Sequence, residues 1–158
     1  MSTVTPPKNP EADPRVKAVF DDIRATRKSD FINNMWLWLA FDPGLLEQTW
    51  GDVKAVMATP SALDPLVKEM LYIAVSVTNG CGYCAHSHTA AARAKGLSDA
   101  EHADLLRVIS LAARTNQLAT ALQVPVDTVL DGGIKHVAQK CAAVLRYDMR
   151  QIKTCDQE

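Results

Sequence analysis

The sequence predicts an all-α fold, and three observations carry that prediction. Apolar residues recur at intervals of three and four along most of the 158-residue chain. Asp-Pro pairs stand at residues 13–14, 42–43 and 64–65, each joining a capping carboxylate to a proline suited to the first turn of a helix. Sustained period-two alternation is missing: residues 124–130 come nearest, and a lone strand there has no partner to pair with.

Taken in order, residues 1–11 contain Pro6, Pro7 and Pro10 and little apolar content. They read as a flexible or docking N-terminal arm ahead of a single helical domain, residues 12–158. Behind Asp13-Pro14, the residues Val16, Val19, Phe20 and Ile23 form one helical stripe. Residues 31–41 are dense in large apolar groups and suit a short, largely buried helix. Asp42-Pro43 opens the next, with Leu46, Trp50, Val53 and Met57 inward, and Asp64-Pro65 opens one reaching about Thr78. Asn79-Gly80 is a stop and a turn. From Cys81 a helix extends to Gly96, a C-terminal glycine. Ser98 and Glu101 have the spacing of a capping box and launch a helix bearing Leu105, Val108, Ile109 and Ala112. A separate helix is expected over residues 116–123, before Pro125. A last one follows Gly133, with Ile134, Val137, Ala138, Cys141, Val144, Leu145, Met149 and Ile152 at helical spacing.

Composition narrows the partners. Seventeen Lys and Arg against eighteen Asp and Glu give a net charge of -1, without the basic excess that nucleic acid or an anionic membrane surface requires. The most apolar stretches, residues 35–41 and 70–77, fall far short of the ~20 residues of a membrane span. No basic-then-apolar leader opens the sequence, so the expected compartment is the cytoplasm. Four cysteines, Cys81, Cys84, Cys141 and Cys155, are too few for a secreted disulfide framework. Two of them form a Cys-x-x-Cys, which in a cytosolic protein points to redox chemistry or metal binding.

The segment from Glu69 to His88 holds the chemistry. In two antiparallel helices joined at Asn79-Gly80, residues equally far from the turn lie level, which sets Glu69 opposite His88. Cys81, Cys84 and His88 share one face of the second helix, with Cys84 and His88 one turn apart. Both cysteines lie at a helix start, where free N–H groups and the dipole favour a thiolate. A thiolate, a histidine base and a carboxylate that orients the base make an activated nucleophile. A second cysteine can close a disulfide once the first is oxidised. That chemistry is peroxide reduction or thiol–disulfide exchange.

Glu69, eleven residues, Cys81-x-x-Cys84, three residues and His88 resemble the signature of the AhpD-like alkylhydroperoxidases of the carboxymuconolactone decarboxylase superfamily. The resemblance covers residues 68–96. It implies an all-helical subunit that reduces hydroperoxides through Cys84 and Cys81, with Glu69 and His88 relaying protons. It also implies no haem, flavin or metal, assembly as a dimer, trimer or hexamer, and recycling by a dihydrolipoyl or thioredoxin-like dithiol protein. The best-known members carry a second histidine just before the second cysteine. Tyr83 stands there in this chain, as in the broader peroxidase-related branch.

Other readings compete with this one. A thiol–disulfide oxidoreductase or redox sensor needs the same two cysteines and no peroxide turnover. A zinc-stabilised binding module would draw on Cys81, Cys84, His86 and His88, although a continuous helix turns His86 away from the shared face. Phe31, Trp36, Trp38, Phe41 and Trp50 read as core, with part of the group able to roof the thiol site or form a subunit interface; Cys141 reads as part of an apolar stripe and Cys155 as part of a polar tail. His102 and His136 read as exposed. Arg114, Thr115 and Asn116 fit a helix junction, either as a cap or as a lining of the site. The crowded apolar segments 35–41 and 70–77 favour burial between subunits. The metal question has a direct check. Gently purified protein is expected to hold less than stoichiometric zinc and to keep its fold in chelator, since a bound ion would occupy both thiols.

Overall fold

The computed structural model describes residues 2–128 and 130. Its helices are α1 (Pro14–Arg27), α2 (Asn34–Leu39), α3 (Pro43–Val53), α4 (Pro65–Thr78), α5 (Gly82–Ala94) and α6 (Asp99–Ala121). Among the described residues there is no strand. The three Asp-Pro pairs act alike. Asp13 accepts from the N–H groups of Arg15 and Val16, Asp42 from those of Gly44 and Leu45, and Asp64 from that of Leu66, at 2.8–3.4 Å. Each carboxylate satisfies amides that the first helical turn leaves without partners. The helix expected after Gly133, with His136 and Cys141, and the polar tail with Cys155 lie outside the described residues.

The chain groups into two compact units, Met1–Ile109 and Ser110–Glu158. In the first, α1, α2 and α3 enclose a core of Val16, Val19, Phe20, Ile23, Ile32, Trp36, Ala40, Leu46 and Trp50. Trp36 and Trp50 meet edge to face, with centroids 5.4 Å apart, an arrangement that suits the ring quadrupoles. The polar edge of Trp50 is answered too: its Nε1–H donates to Asp22 at 2.6 Å, and Lys54 donates to the same carboxylate at 2.7 Å. The hydrogen bonds from Lys54 and then Trp50 hold the Asp22 carboxyl below the usual carboxylate range. A second core cluster joins Ile73 of α4, Ala92 of α5, Leu97 from the link between α5 and α6, and Leu105 of α6.

Several expectations change in the structure. The segment 31–41 is not largely buried. Only Ile32, Trp36 and Ala40 are, while Phe31, Met35 and Phe41 are exposed, because a six-residue helix offers α3 a single face. Helix α3 stops at Val53, and Lys54–Ala58 winds as one π turn, which takes half-buried Met57 out of the α3 stripe. Buried Lys68 of α4 donates to the carbonyls of Val56 and Thr59 at 2.7 and 3.0 Å, satisfying acceptors at the end of that turn. The separate helix over 116–123 is absent, since α6 continues unbroken to Ala121. No Gly or Pro interrupts it, and the Thr115 hydroxyl bonds back to the Leu111 carbonyl at 3.1 Å instead of capping a new start. Along α6, Leu105 is buried and Ile109 half-buried, but Val108 is 64% exposed and Ala112 is exposed.

The capping box forms as read: Glu101 accepts from the Ser98 N–H at 2.8 Å, and the Glu101 N–H donates to the Ser98 hydroxyl at 3.2 Å. The N-terminal arm carries a short 3-10 turn, Pro10–Ala12. It touches the helices through Glu11 with Arg24 at 2.6 Å and through the Ser2 hydroxyl, which accepts from Trp38 Nε1 at 2.6 Å. No helix among the described residues is long and apolar enough to cross a membrane. In the second unit, the described part of α6 is exposed throughout its length, and Gln123 ends it at a φ of 49°. Phe20 has no exposed surface and lies at the centre of the first core. Phe20→Ala is expected to cost ~3–5 kcal/mol in urea unfolding, through lost transfer energy and the cavity left behind.

Candidate active site

Helices α4 and α5 pack as an antiparallel pair, and the short turn between them is built by its own hydrogen bonds. The Gly80 N–H donates to the Val77 carbonyl at 3.1 Å, and the Cys81 N–H to the Ser76 carbonyl at 2.9 Å. This is a Schellman closure, with Gly80 in the left-handed region at a φ of +68°. Cys81 then turns from last residue to first. As the N-cap of α5 it accepts from the Cys84 N–H through Sγ at 3.2 Å. Cys81 and Cys84 are joined as a disulfide, their Cα atoms 5.3 Å apart, and both are half-buried.

Across from them, α4 turns inward a face made of Glu69, Ile73 and Ser76. The apolar run that follows Glu69 is not buried as a block. Leu71 is 52% and Val75 58% exposed, while Glu69 is 5% exposed. A carboxylate takes an inner position and aliphatic groups an outer one, so its partners must hold it there. They are His88 of α5 and Lys95, the C-cap of that helix. His88 Nδ1 lies 2.6 Å from Glu69 Oε2, and Lys95 Nζ donates to Oε1 at 2.9 Å. Burial pushes the Glu69 carboxyl up; the hydrogen bonds from His88 and Lys95 outweigh it and hold the group below its ordinary value.

Further side chains complete the surroundings. The Tyr72 ring stacks on the His88 imidazole, with centroids 3.6 Å apart and planes 18° from parallel. The Tyr83 hydroxyl accepts from the Met35 N–H at 3.1 Å. With Met35, Trp38, Leu39 and Phe41, Tyr83 walls an apolar cavity of about 460 Å³. Arg27, at the end of α1, stands 5.5 Å from the centroids of both Trp36 and Trp50. Burial lowers its guanidinium, opposed by the nearby Tyr83 and Glu69. His86 is exposed and makes none of these contacts, and Arg114–Asn116 stand exposed inside a continuous helix. Among the described residues, no group of three or more His, Cys, Asp or Glu converges to hold a metal ion.

Sequence reasoning named Glu69, Cys81, Cys84 and His88 and passed over Lys95, Tyr72 and Arg27. Two of these carried a signal. Lys95 falls seven residues beyond His88 on the same helical face, and Tyr72 falls three beyond Glu69. Arg27 carried none, because its through-space interaction with Glu69 and Tyr83 arises only in three dimensions.

A helical hairpin with a Cys-x-x-Cys disulfide at the start of its second helix defines an all-α dithiol protein of AhpD-like architecture. The chain belongs to the carboxymuconolactone decarboxylase family, whose model matches residues 43–127. Its fold is similar to the crystal structure of the alkylhydroperoxidase AhpD core from Rhodospirillum rubrum. The TM-score is 0.79 at 60% identity, over 82% of this chain and 97% of that one. It is also similar to the alkyl hydroperoxide reductase AhpD of Solibacter usitatus, 38% identical over 66 residues. That match takes in 42% of this chain and 36% of the relative's length.

The lowered Glu69 carboxyl makes acid stability testable. The unfolded chain binds the Glu69 proton at a higher pH than the folded one does. The stability it contributes is therefore complete above the unfolded value, about 4.3, and is lost as pH falls through the folded value. Between about pH 6 and pH 3 the urea midpoint of oxidised Glu69→Gln protein is expected to fall less steeply than that of the wild type, from a lower start.

Proposed function

We propose that this chain is a dithiol peroxidase that reduces organic hydroperoxides through Cys84 and Cys81, with His88 and Glu69 as its proton relay. The observation that carries this reading is the 2.6 Å contact of Glu69 with His88, one helical turn beyond the Cys81–Cys84 disulfide. With Nδ1 engaged by Glu69, Nε2 is the ring nitrogen left to take a proton from the Cys84 thiol. The names borne by the two similar proteins support the same chemistry. The apolar cavity beside Tyr83 supports an organic rather than a purely inorganic peroxide.

The cycle balances as follows. The Cys84 thiolate attacks the outer peroxide oxygen and the O–O bond breaks. The alkoxide leaves as an alcohol, taking its proton from His88, and Cys84 becomes a sulfenic acid. The Cys81 thiol attacks that sulfur, the S–S bond forms and water departs. An external dithiol, of the dihydrolipoyl or thioredoxin-like kind, returns two electrons and two protons and leaves as its own disulfide. A reducing cytoplasm suits such recycling. Exposed Val67, Leu71 and Val75 along the outer side of α4 support burial against another copy of the chain as a homo-oligomer.

Cys84 is assigned the attack because a positioned base contributes ~10²–10⁴-fold in rate, more than the difference in dipole field between two residues of one turn. Reduced single-serine variants, given one equivalent of a hydroperoxide and read by mass spectrometry, check this. Cys81→Ser is expected to trap a sulfenic acid on Cys84, and Cys84→Ser to stay reduced at least ~100-fold longer. The opposite pattern reverses the two roles. Inertness of both toward peroxide, with normal exchange against disulfides, would replace the peroxidase by a thiol–disulfide oxidoreductase.

A further inference from the structure

We propose that Lys95 is a positioning residue of this site, holding Glu69 in the one carboxylate orientation that serves His88 Nδ1. The four-residue motif would then have a fifth member seven residues beyond His88. The proposal rests on the peroxidase reading for its purpose, though not for its geometry.

The carboxylate is gripped from both oxygens: Oε2 by His88 at 2.6 Å and Oε1 by Lys95 at 2.9 Å. The Glu69 side chain is 6% exposed, so water cannot readily replace a lost donor, and an unpaired oxygen there is costly. This separates the pair from ordinary surface ion pairs, whose partners are both solvated. Lys95 is itself fixed in place. As the C-cap of α5 it stands inside a second Schellman closure, in which the Gly96 N–H donates to Arg93 and the Leu97 N–H to Ala92, both at 3.0 Å. Gly96 takes a φ of +100°, and Leu97 and Ala92 are buried together in the second core cluster. The helix that carries the nucleophile and the base therefore also sets where the lysine stem begins. His88 and Lys95 share one face of that helix and grip Glu69 from positions two turns apart.

One oxygen would be free without Lys95. The carboxylate could then swing off the line to Nδ1, or take up a proton at a higher pH and lose strength as an acceptor. The charged and titratable groups around Glu69 are His88 and Lys95 from α5 and, through space, Arg27 from α1; Tyr72 covers His88, and Tyr83 lies near Arg27. None of the others is hydrogen-bonded to Oε1, so none can replace the lysine directly.

The test reads thiol reactivity of the reduced full chain, so it does not depend on peroxide being the substrate. Iodoacetamide labelling of Cys84 is followed by mass spectrometry from about pH 4 to pH 9. Lys95→Met is expected to slow labelling at neutral pH roughly 10-fold or more, part of the ~10²–10⁴ that a positioned base supplies. Its acid limb is expected to move to higher pH. Lys95→Arg, which keeps the charge and a donor, should remain within about 3-fold of wild type. In a Glu69→Gln background, Lys95→Met should add no further loss, as expected for residues that act as one unit. If Lys95→Met does not fold, as judged by circular dichroism, Lys95→Gln is read in its place. Labelling within about 2-fold of wild type, or an equal loss in the Glu69→Gln background, would overturn the proposal. Turnover of an organic hydroperoxide by the wild type is measured in parallel. Its absence, with the labelling pattern intact, would remove the peroxidase reading and leave the role of Lys95 standing.

Discussion

The interaction on which the rest of the site depends is a carboxylate held between two helices. Glu69 is turned inward from α4 and answered from α5 by both His88 and Lys95. Burial alone would drive such a group toward its neutral form. Two donors on one face of the facing helix reverse that preference and keep the carboxylate charged. The same contacts fix the register of α4 against α5: sliding one helix by a turn would take the buried carboxylate away from both donors and leave it without a partner. A structural requirement of the hairpin and an electrostatic requirement of the proposed relay thus fall on the same three side chains.

The turn joining the two helices concentrates several roles in one residue. The backbone N–H of Cys81 closes the end of α4 on Ser76, and its Sγ starts α5 by accepting from Cys84. A serine or aspartate would cap a helix more strongly. Neither could form the bond that joins residues 81 and 84. Helix start, hairpin turn and disulfide therefore share one location, and the amides that cap the helix are also those that would stabilise a thiolate.

The first core is a separate cluster with its own ties. Trp36 and Trp50 pack edge to face, and the indole of Trp50 is tied through Asp22 to Lys54. Lys68, the neighbour of Glu69, reaches back to the carbonyls that the π turn leaves open. Two adjacent residues of α4 thus point to different tasks, one binding the helix to the segment before it and the other facing the site. Tyr83 links the two regions, its ring beside the cavity and its hydroxyl on the backbone of α2.

Much of the molecule was legible in its sequence because the signals are local. Asp-Pro pairs, a capping box and two glycines beyond helix ends act within a few residues of themselves, and they lie where they were read. The pairing of Glu69 with His88 followed from counting residues either side of a turn. Other features depend on what arrives from elsewhere in the chain. Nothing local in residues 31–41 or 70–77 says which large apolar groups lie inside, since that depends on how many faces a neighbouring helix covers. Nothing local in Lys95 says that its ammonium meets a carboxylate 26 residues earlier in the chain. By itself, the sequence determined an all-helical chain, its helix starts and the spacing of two cysteines, a histidine and a glutamate, because capping and periodicity are short-range physics. Only the tertiary structure decided that the second oxygen of Glu69 belongs to Lys95, because a buried charge takes its partners from whatever the packing of two helices brings within reach.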